Sequence, residues 1–282
     1  MRRILVPTDF SDQARSAFEV AVTIARQTGA AIKLLHVVEM PNSSYSFSAT
    51  GDLVGGNGME QVYMMKLLET TQQRMAQLER SVEHEGVEVV QEVDADSVIR
   101  KIRRVISDDK VDLVVMGSKG SSGMDEFLIG SNTEKVVRTA DCPVLTVKGP
   151  IANFQIRNIV LASDFKREIS TAVEKFKYFQ HMFGAKLHMV YINTPGAFES
   201  SSNLRTRMQK AAERYGLQNF TINVYNDTIE EDGILHFAEE IGADLVMMAT
   251  HGRTGLSHLL SGSIAEDLVN HSDIPVLTFH LK

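Results

Sequence analysis

The residues best suited to chemistry in this chain lie between Leu113 and Ser131. Leu113 to Met116 is a short apolar run of the kind that forms a strand buried on both faces. Gly117, Gly120, Gly123 and Gly130 punctuate the stretch that follows, with Ser118 beside the first of them. Ser131-Asn132-Thr133-Glu134 then reads as the polar first turn of a helix, ahead of Val136 and Val137. A strand, a glycine loop and a helix start together make an anion-binding arrangement. Glycines permit positive φ and close approach of the backbone, and unpaired N–H groups at the helix start point toward negative charge. A second candidate is Asp9, directly after the apolar run Ile4-Leu5-Val6-Pro7-Thr8. A carboxylate there can accept hydrogen bonds from a nucleoside, or it can simply form the turn.

The chain repeats itself, which favours the functional reading of Asp9. Ile4 to Phe10 returns as Ile159 to Phe165, an offset of 155, with Ser163 and Asp164 in the frame of Thr8 and Asp9. The glycine stretch returns at an offset of 132: Leu113 to Gly117 matches Leu245 to Ala249, and Met116 matches Met248. Gly120 matches Gly252, and Gly130-Ser131 matches Gly262-Ser263. The two offsets differ by 23 residues, which are missing from the second copy between Ile192 and Leu245. Repetition at this length means two copies of one domain. We place them at 1–149 and 154–282, with the break at Gly149-Pro150.

The elements that must position these residues alternate between strand and helix. The pattern predicts strands over Arg3–Thr8, Ile32–Val38, Val87–Val93, Val111–Gly117 and Pro143–Val147. It predicts helices from a Ser11 or Asp12 cap to Gly29, over Met59–His84 and Val98–Ile106, and from Ser131 to Ala140. Pro41 to Gly58, rich in Ser, Asn and Gly, reads as a mobile loop. Alternation of this kind predicts an α/β fold with a parallel sheet and right-handed crossovers in each half.

The spacing Gly117-x2-Gly120-x9-Gly130-Ser131 resembles the ATP-binding signature of the universal stress protein family. The closing run Asp141-Cys142-Pro143-Val144-Leu145-Thr146-Val147 is similar to the family's last strand. The resemblance covers about 2–147 and 157–280. It implies two tandem doubly wound, Rossmann-like domains of five strands each, in the order 3-2-1-4-5. That order places the ends of strands 1 and 4 at a topological switch point, where ligands sit in such sheets. The resemblance further implies ATP, with or without Mg²⁺, as the ligand. Asp9, flanked by Pro7 and Thr8, would contact the adenosine, and Val37 would flank the adenine. Met116, Gly117, Ser118 and Gly120 would line the ribose and phosphates. Gly130, Ser131, Asn132 and Thr133 would hold the phosphates at the helix start. In the second half the matching residues are Ser163, Asp164, Ile192, Met248, Ala249, Gly252, Gly262 and Ser263. There Ala249 replaces the first glycine and Ile192 replaces Val37, so the second site is expected to be weaker. The family's members dimerise through the last strand, and a tandem chain can satisfy both such edges internally as a pseudo-twofold dimer.

Absences narrow the chemistry. The sequence holds no Gly-x4-Gly-Lys-Ser/Thr, no Gly-x-Gly-x-x-Gly, no Gly-x-Ser-x-Gly and no His-Glu-x-x-His. A P-loop NTPase, a dinucleotide fingerprint, a nucleophile elbow and a zincin helix are therefore excluded. The expected role is an ATP-binding stress sensor or regulator rather than a fast enzyme. Slow ATP hydrolysis, and a module that binds a lipid, metal or protein instead of a nucleotide, are the alternatives.

The 282 residues carry 43% hydrophobic and 23% charged residues and a net charge of −7. This composition fits a soluble globular chain and argues against non-specific binding of nucleic acid. No apolar run reaches membrane-spanning length, and the amino terminus lacks a signal-peptide core, so a cytoplasmic location is expected. Protein partners remain unnamed at this level, and further self-association is open. Arg100, Lys101, Arg103 and Arg104 read as a solvated basic face, His188 and His236 as ordinary residues rather than zinc ligands, and Cys142 as structural. Met59, Met64, Met65 and Met75 are expected to pack from the long helix onto the sheet or a partner.

Overall fold

The computed structural model describes residues 1–39, 46–47, 53–54, 58–118, 129–151, 154–166, 170–251 and 264–281. The first half runs β1 (Arg3–Pro7), α1 (Asp12–Thr28), β2 (Ala31–Val38), β3 (Ser46–Phe47), β4 (Leu53–Val54), α2 (Gly58–Ser81), β5 (Val89–Ala95), α3 (Val98–Asp108), β6 (Leu113–Gly117), α4 (Ser131–Thr139) and β7 (Val144–Val147). The second half runs β8 (Asn158–Ala162), α5 (Ser170–Phe183), β9 (Lys186–Asn193), a single 3-10 turn at Pro195–Ala197, α6 (Ser201–Tyr215), β10 (Phe220–Asn226), α7 (Glu230–Glu240), β11 (Leu245–His251), α8 (Ile264–His271) and β12 (Val276–Leu281).

Ten of these strands form one sheet, in the order β10-β9-β8-β11-β12-β7-β6-β1-β2-β5. Within each half all pairings are parallel and the order is the expected 3-2-1-4-5. The halves meet where β7 and β12 pair antiparallel, with Val144 opposite Thr278, Leu145 opposite Leu277 and Thr146 opposite Val276. Each of these residues is matched with its own repeat counterpart displaced about Leu145 and Leu277, so a pseudo-twofold axis passes between those two leucines. Side chains obey the same symmetry. The Thr146 hydroxyl donates to the Val276 carbonyl at 3.2 Å, and the Thr278 hydroxyl donates to the Val144 carbonyl at 3.3 Å.

Alternation along the strands sends side chains to two different cores. Ile4, Val6, Leu113, Val115, Leu145 and Val147 share one cluster with Ile159, Leu161, Leu245, Met247, Leu277 and Phe279. That cluster is covered by buried residues of α1, α2, α5 and α6 and runs unbroken across the seam. On the opposite face the apolar residues divide. Leu5, Val114, Met116 and Val144 pack with α3 and α4, while Val160, Ala162, Val246 and Met248 pack with α7 and α8.

Local chemistry sets the element boundaries. The Ser11 side chain caps α1 by accepting from Ala14 N–H, and Gly29, at φ 68°, closes the helix in the left-handed region. Strand β5 begins two residues later than the alternation predicts. Gly86 sits at φ 80° and Val87 N–H bonds back to the His84 carbonyl, so these residues are spent on a turn. The segment expected to be a loop contains the antiparallel pair β3–β4, and the rest of 40–57 lies outside the described residues. Met64 and Met75 of α2 are buried as expected, but Met65 is exposed along with Val62 and Tyr63. The side chain of Met59 lies outside the described residues.

The seam makes a direct prediction. Leu145 is fully buried at the pseudo-twofold axis. Leu145→Ala is expected to cost about 2–5 kcal/mol in unfolding free energy. Because β7 and β12 belong to one sheet, urea denaturation should show a single transition for both halves, moved to lower urea. Two separate transitions would show that the halves fold independently.

Candidate functional site

The end of β1 is a tight, strained turn. Phe10 adopts φ 66°, a left-handed conformation that costs a non-glycine residue roughly 1–2 kcal/mol. Three contacts hold it there. Phe10 N–H donates to the Thr8 hydroxyl at 3.1 Å, Ser11 N–H donates to Asp9 Oδ1 at 3.0 Å, and the Phe10 ring lies 4.5 Å from the His36 ring. Asp9 thus serves the turn that ends β1. The second half builds the same turn from different atoms. Phe165 sits at φ 53°, its N–H donates to the Ser163 hydroxyl at 3.1 Å, and Lys166 N–H donates to Asp164 Oδ1 at 2.9 Å.

Gly117 closes β6 directly beneath this turn. A Cβ at Gly117 would stand 2.9 Å from the Gln13 Cβ and 3.0 Å from the Gln13 carbonyl carbon. Its φ is not in the left-handed region. The glycine is therefore required by the close approach of α1 to the strand end. That contact brings the Asp9 turn and the end of β6 together at the switch point between β1 and β6. The counterparts of Gln13 and Ala14, Glu168 and Ile169, lie outside the described residues. Ala249 packs at the margin of the shared core.

Beyond Gly117 the chain turns toward α4. Ser118 N–H donates to the Val147 carbonyl at 2.9 Å, and Gly130 N–H donates to the Ser118 carbonyl at 2.9 Å. The Ser118 hydroxyl is buried and has no hydrogen-bond partner among the described residues. Gly130 precedes α4 at φ −59°, ψ 130°, a conformation open to any residue, and no side chain caps the helix. Ser131, Asn132 and Thr133 form the uncapped first turn. The Thr133 hydroxyl is committed elsewhere: it donates to the Gly117 carbonyl at 2.8 Å and pins α4 to the end of β6. Gly120, Gly252, Gly262 and Ser263 lie outside the described residues.

The two crevices differ at their inner walls. In the first half Pro7 is partly exposed, Thr8 and Met116 are buried, and Val37 lies at the half-buried margin of the α3/α4 core. In the second half Ile192 is buried, and a Cβ at Gly233 of α7 would fall 2.5 Å from its Cγ2. Helix α7 therefore lies directly on Ile192. Met248 is buried beside it in the same core. Asp164 is exposed and Ser163 half-buried.

Charges beside Val37 also depart from expectation. Lys101, read as part of a solvated face, is buried and bonded to Glu92 and Asp94, both at 2.5 Å. Lys33 joins Glu92 at 2.8 Å and pairs with Asp109. Burial alone lowers the Lys101 pKa, and its bonds to Asp94 and Glu92 overcome that and raise it. Asp94 lies opposite Val37 in the β2–β5 register, so the network braces that wall. Arg100 and Arg104 pair with Asp96 at 3.3 and 3.5 Å. In the second half the Lys101 position is Gly233, the Glu92 position Val224 and the Asp94 position Asn226.

Sequence reasoning did not identify Phe10, His36 or Arg74 as parts of the site. Arg74, on α2, places its guanidinium 5.1 Å from the Phe10 ring centroid. Phe10 was visible as a repeated residue, returning as Phe165, but position along α2 gives no signal for Arg74. The His36 Nδ1 lies 2.7 Å from the Thr8 carbonyl. A carbonyl only accepts, so Nδ1 carries the proton. Burial lowers the His36 pKa. The Thr8 carbonyl and Asp9 oppose that shift, and Arg74 adds to it. Cys142 is buried, and desolvation pushes its thiol to about 12, which makes it inert. His188 contacts Asn158 and Thr221, and His236 contacts Asp227. Among the described residues no cluster of three or more His, Cys, Asp or Glu side chains could hold a metal ion, and no helix is long and apolar enough to cross a membrane.

Two predictions follow from this geometry. Gly117→Ala should lower stability by about 1–3 kcal/mol in ligand-free protein, because the methyl group meets α1 backbone. An unchanged urea midpoint would mean that α1 can withdraw. The second concerns pH. The folded state holds His36 with a lowered pKa, so between that value and the unfolded value near 6.5 the unfolded chain binds more protons. The His36 contribution is complete above this window and is lost as pH falls through it. Urea midpoints at pH 7.5 and pH 5.5 should therefore differ less in His36→Gln than in the unsubstituted chain; an equal difference would reject the assignment.

Comparison with known proteins gives a consistent picture. The sequence profile of the universal stress protein family matches residues 1–148 and again residues 155–280. Universal stress protein Slr1230 of Synechocystis sp. is 24% identical over 293 residues, spanning 99% of this chain and 100% of that protein. Universal stress protein MJ0531 of Methanocaldococcus jannaschii is 30% identical over 151 residues, 53% of this chain and 83% of that protein. Among solved structures, a universal stress protein from Archaeoglobus fulgidus superposes with a TM-score of 0.72 at 22% identity, covering 99% of this chain and 98% of that one.

Proposed function

We propose that this chain, which belongs to the universal stress protein family, binds ATP in its first-half crevice and reports that occupancy as a stress-response regulator. The observation that carries this reading is the uncapped start of α4 beside the Asp9 turn. Backbone N–H groups at a helix start favour a phosphate chain through both hydrogen bonding and the helix dipole. Asp9 supplies a carboxylate at the nucleoside end, and Val37 supplies an apolar wall for the base. The glycine spacing of the family's ATP signature is complete in this half.

The same reasoning makes the second crevice the weaker one. Ile192 is sealed against α7, leaving less room where a base would lie. Ala249 carries a methyl group at the position of Gly117.

Isothermal titration with ATP tests the proposal. One tight site per chain is expected. Asp9→Asn keeps an acceptor for the Ser11 N–H and removes the charge, so affinity should fall about tenfold, roughly 1.4 kcal/mol, with the fold intact. Asp164→Asn should leave that site unchanged. Gly130→Val is sterically compatible with the backbone at φ −59°; its loss of ATP affinity would report bulk at the helix start rather than strain. No heat and no competition by ATP in the unsubstituted protein would reject the reading.

A further inference from the structure

The second half carries a cationic cluster around Glu199. Arg207 of α6 places its guanidinium 5.2 Å from the centre of the Tyr191 ring, as Arg74 does over Phe10. Arg207 Nη1 pairs with Glu199 Oε2 at 2.7 Å, and Lys166 Nζ pairs with Glu199 Oε1 at 2.7 Å. Two cations thus share one carboxylate. Lys166 follows the Asp164 turn by two residues; its first-half counterpart is Ser11, which caps α1. The cluster sits at the carboxyl ends of β8 and β9.

The remaining edge of Arg207 is the informative one. Nε and Nη2 are both buried, and neither has a hydrogen-bond partner among the described residues. In a guanidinium the Nε–H and one Nη2–H point the same way, forming the side-on fork that matches two oxygens of a phosphate or carboxylate. A structural ion pair to Glu199 uses only the far nitrogen, Nη1, and leaves this fork idle. Buried charged donors without partners are costly, and such a group calls for a partner such as a bound ion or an ordered water. The loop that carries Glu199 is itself held in place. Glu199 N–H donates to Asn193 Oδ1 at 3.0 Å, and Asn193 Nδ2 donates to Asn226 Oδ1 at 3.1 Å. Glu199 is thus a resident anion fixed between Lys166 and Arg207.

We propose that Arg207 and Lys166 form a phosphate-binding site in the second half, with the Nε/Nη2 fork of Arg207 as its bidentate donor and Glu199 as a competing internal anion. Two cations around one carboxylate leave a net positive charge, which suits a dianionic phosphoryl group better than a second carboxylate. The phosphate is either free inorganic phosphate or the phosphate of a nucleotide held near the Asp164 turn. The site is independent of the first-half ATP reading, since neither cation belongs to that crevice.

Arginine Nε–Hε NMR signals of the full chain, titrated with sodium phosphate, sodium acetate and ATP at matched ionic strength, test this. Arg207 Nε–H should shift on adding phosphate and not acetate. A shift with ATP but not inorganic phosphate assigns the group to a nucleotide. Glu199→Gln removes the competitor and should tighten phosphate binding several-fold. Arg207→Lys keeps the charge but loses the fork, and should weaken it about tenfold. No Arg207 shift with either phosphate source, an equal shift with acetate, or weaker binding in Glu199→Gln would overturn the proposal. The readout in the unsubstituted protein stands even if a variant fails to fold, and a first-half ATP site that fails its own titration leaves it untouched.

Discussion

The antiparallel pairing of β7 with β12 is the constraint on which the rest of the molecule depends. Each half is a parallel α/β unit whose fifth strand is buried on both faces. Left as an edge, such a strand would present unpaired backbone groups and apolar side chains to water. Two copies of one strand satisfy each other only when run antiparallel about a twofold axis, and that axis falls between Leu145 and Leu277. The paired threonine hydroxyls, each bonded to the carbonyl opposite, mark the same axis in side-chain chemistry. One consequence is directional. Because β7 and β12 are antiparallel and each half is internally parallel, the two crevices open at opposite ends of the sheet.

Within that symmetric frame the two crevices have diverged by exchanging packing for charge. In the second half Gly233 lets α7 lie on a bulky Ile192. The first half has the smaller Val37, and at the Gly233 position it has Lys101, whose long stem is buried and whose ammonium is held by Glu92 and Asp94. Either solution seals the edge between strand and helix. Only the first leaves a half-buried apolar wall beside the switch point, where a flat ligand could lie. The second half puts its free cationic capacity on the other side of its sheet, around Arg207.

The repeat and the alternation of strand with helix were legible because they are encoded in short, recurring, locally determined patterns, whereas the strand order followed only from the resemblance to the family. The apolar runs at Ile4, Ile32 and Leu113, the Gly29 stop and the Asp9/Asp164 frame each specify their own neighbourhood. What was not legible depends on contacts distant in sequence. Gly117 looked like a residue kept for a ligand or for positive φ, yet its neighbour is Gln13, over a hundred residues away in the chain. Lys101 looked solvated because helical spacing places it among arginines; its carboxylate partners lie on β5 and become visible only when the strand is in register. Arg74 and His36 meet over Phe10 for the same reason, and no local signal announces them.

The shared core on the α1/α2/α5/α6 face gives the molecule the mechanics of a laminate bonded on one side. On that side an unbroken apolar layer crosses the seam, and separating the halves there would tear close-packed contacts. On the other side two independent layers face each other, with Arg138 and Glu266 at 3.4 Å as an ion pair between α4 and α8. A partly exposed pair of that kind resists little. Flexure about the seam is therefore resisted more strongly on the first surface than on the second. The more compliant surface carries α4, whose first turn has no side-chain cap.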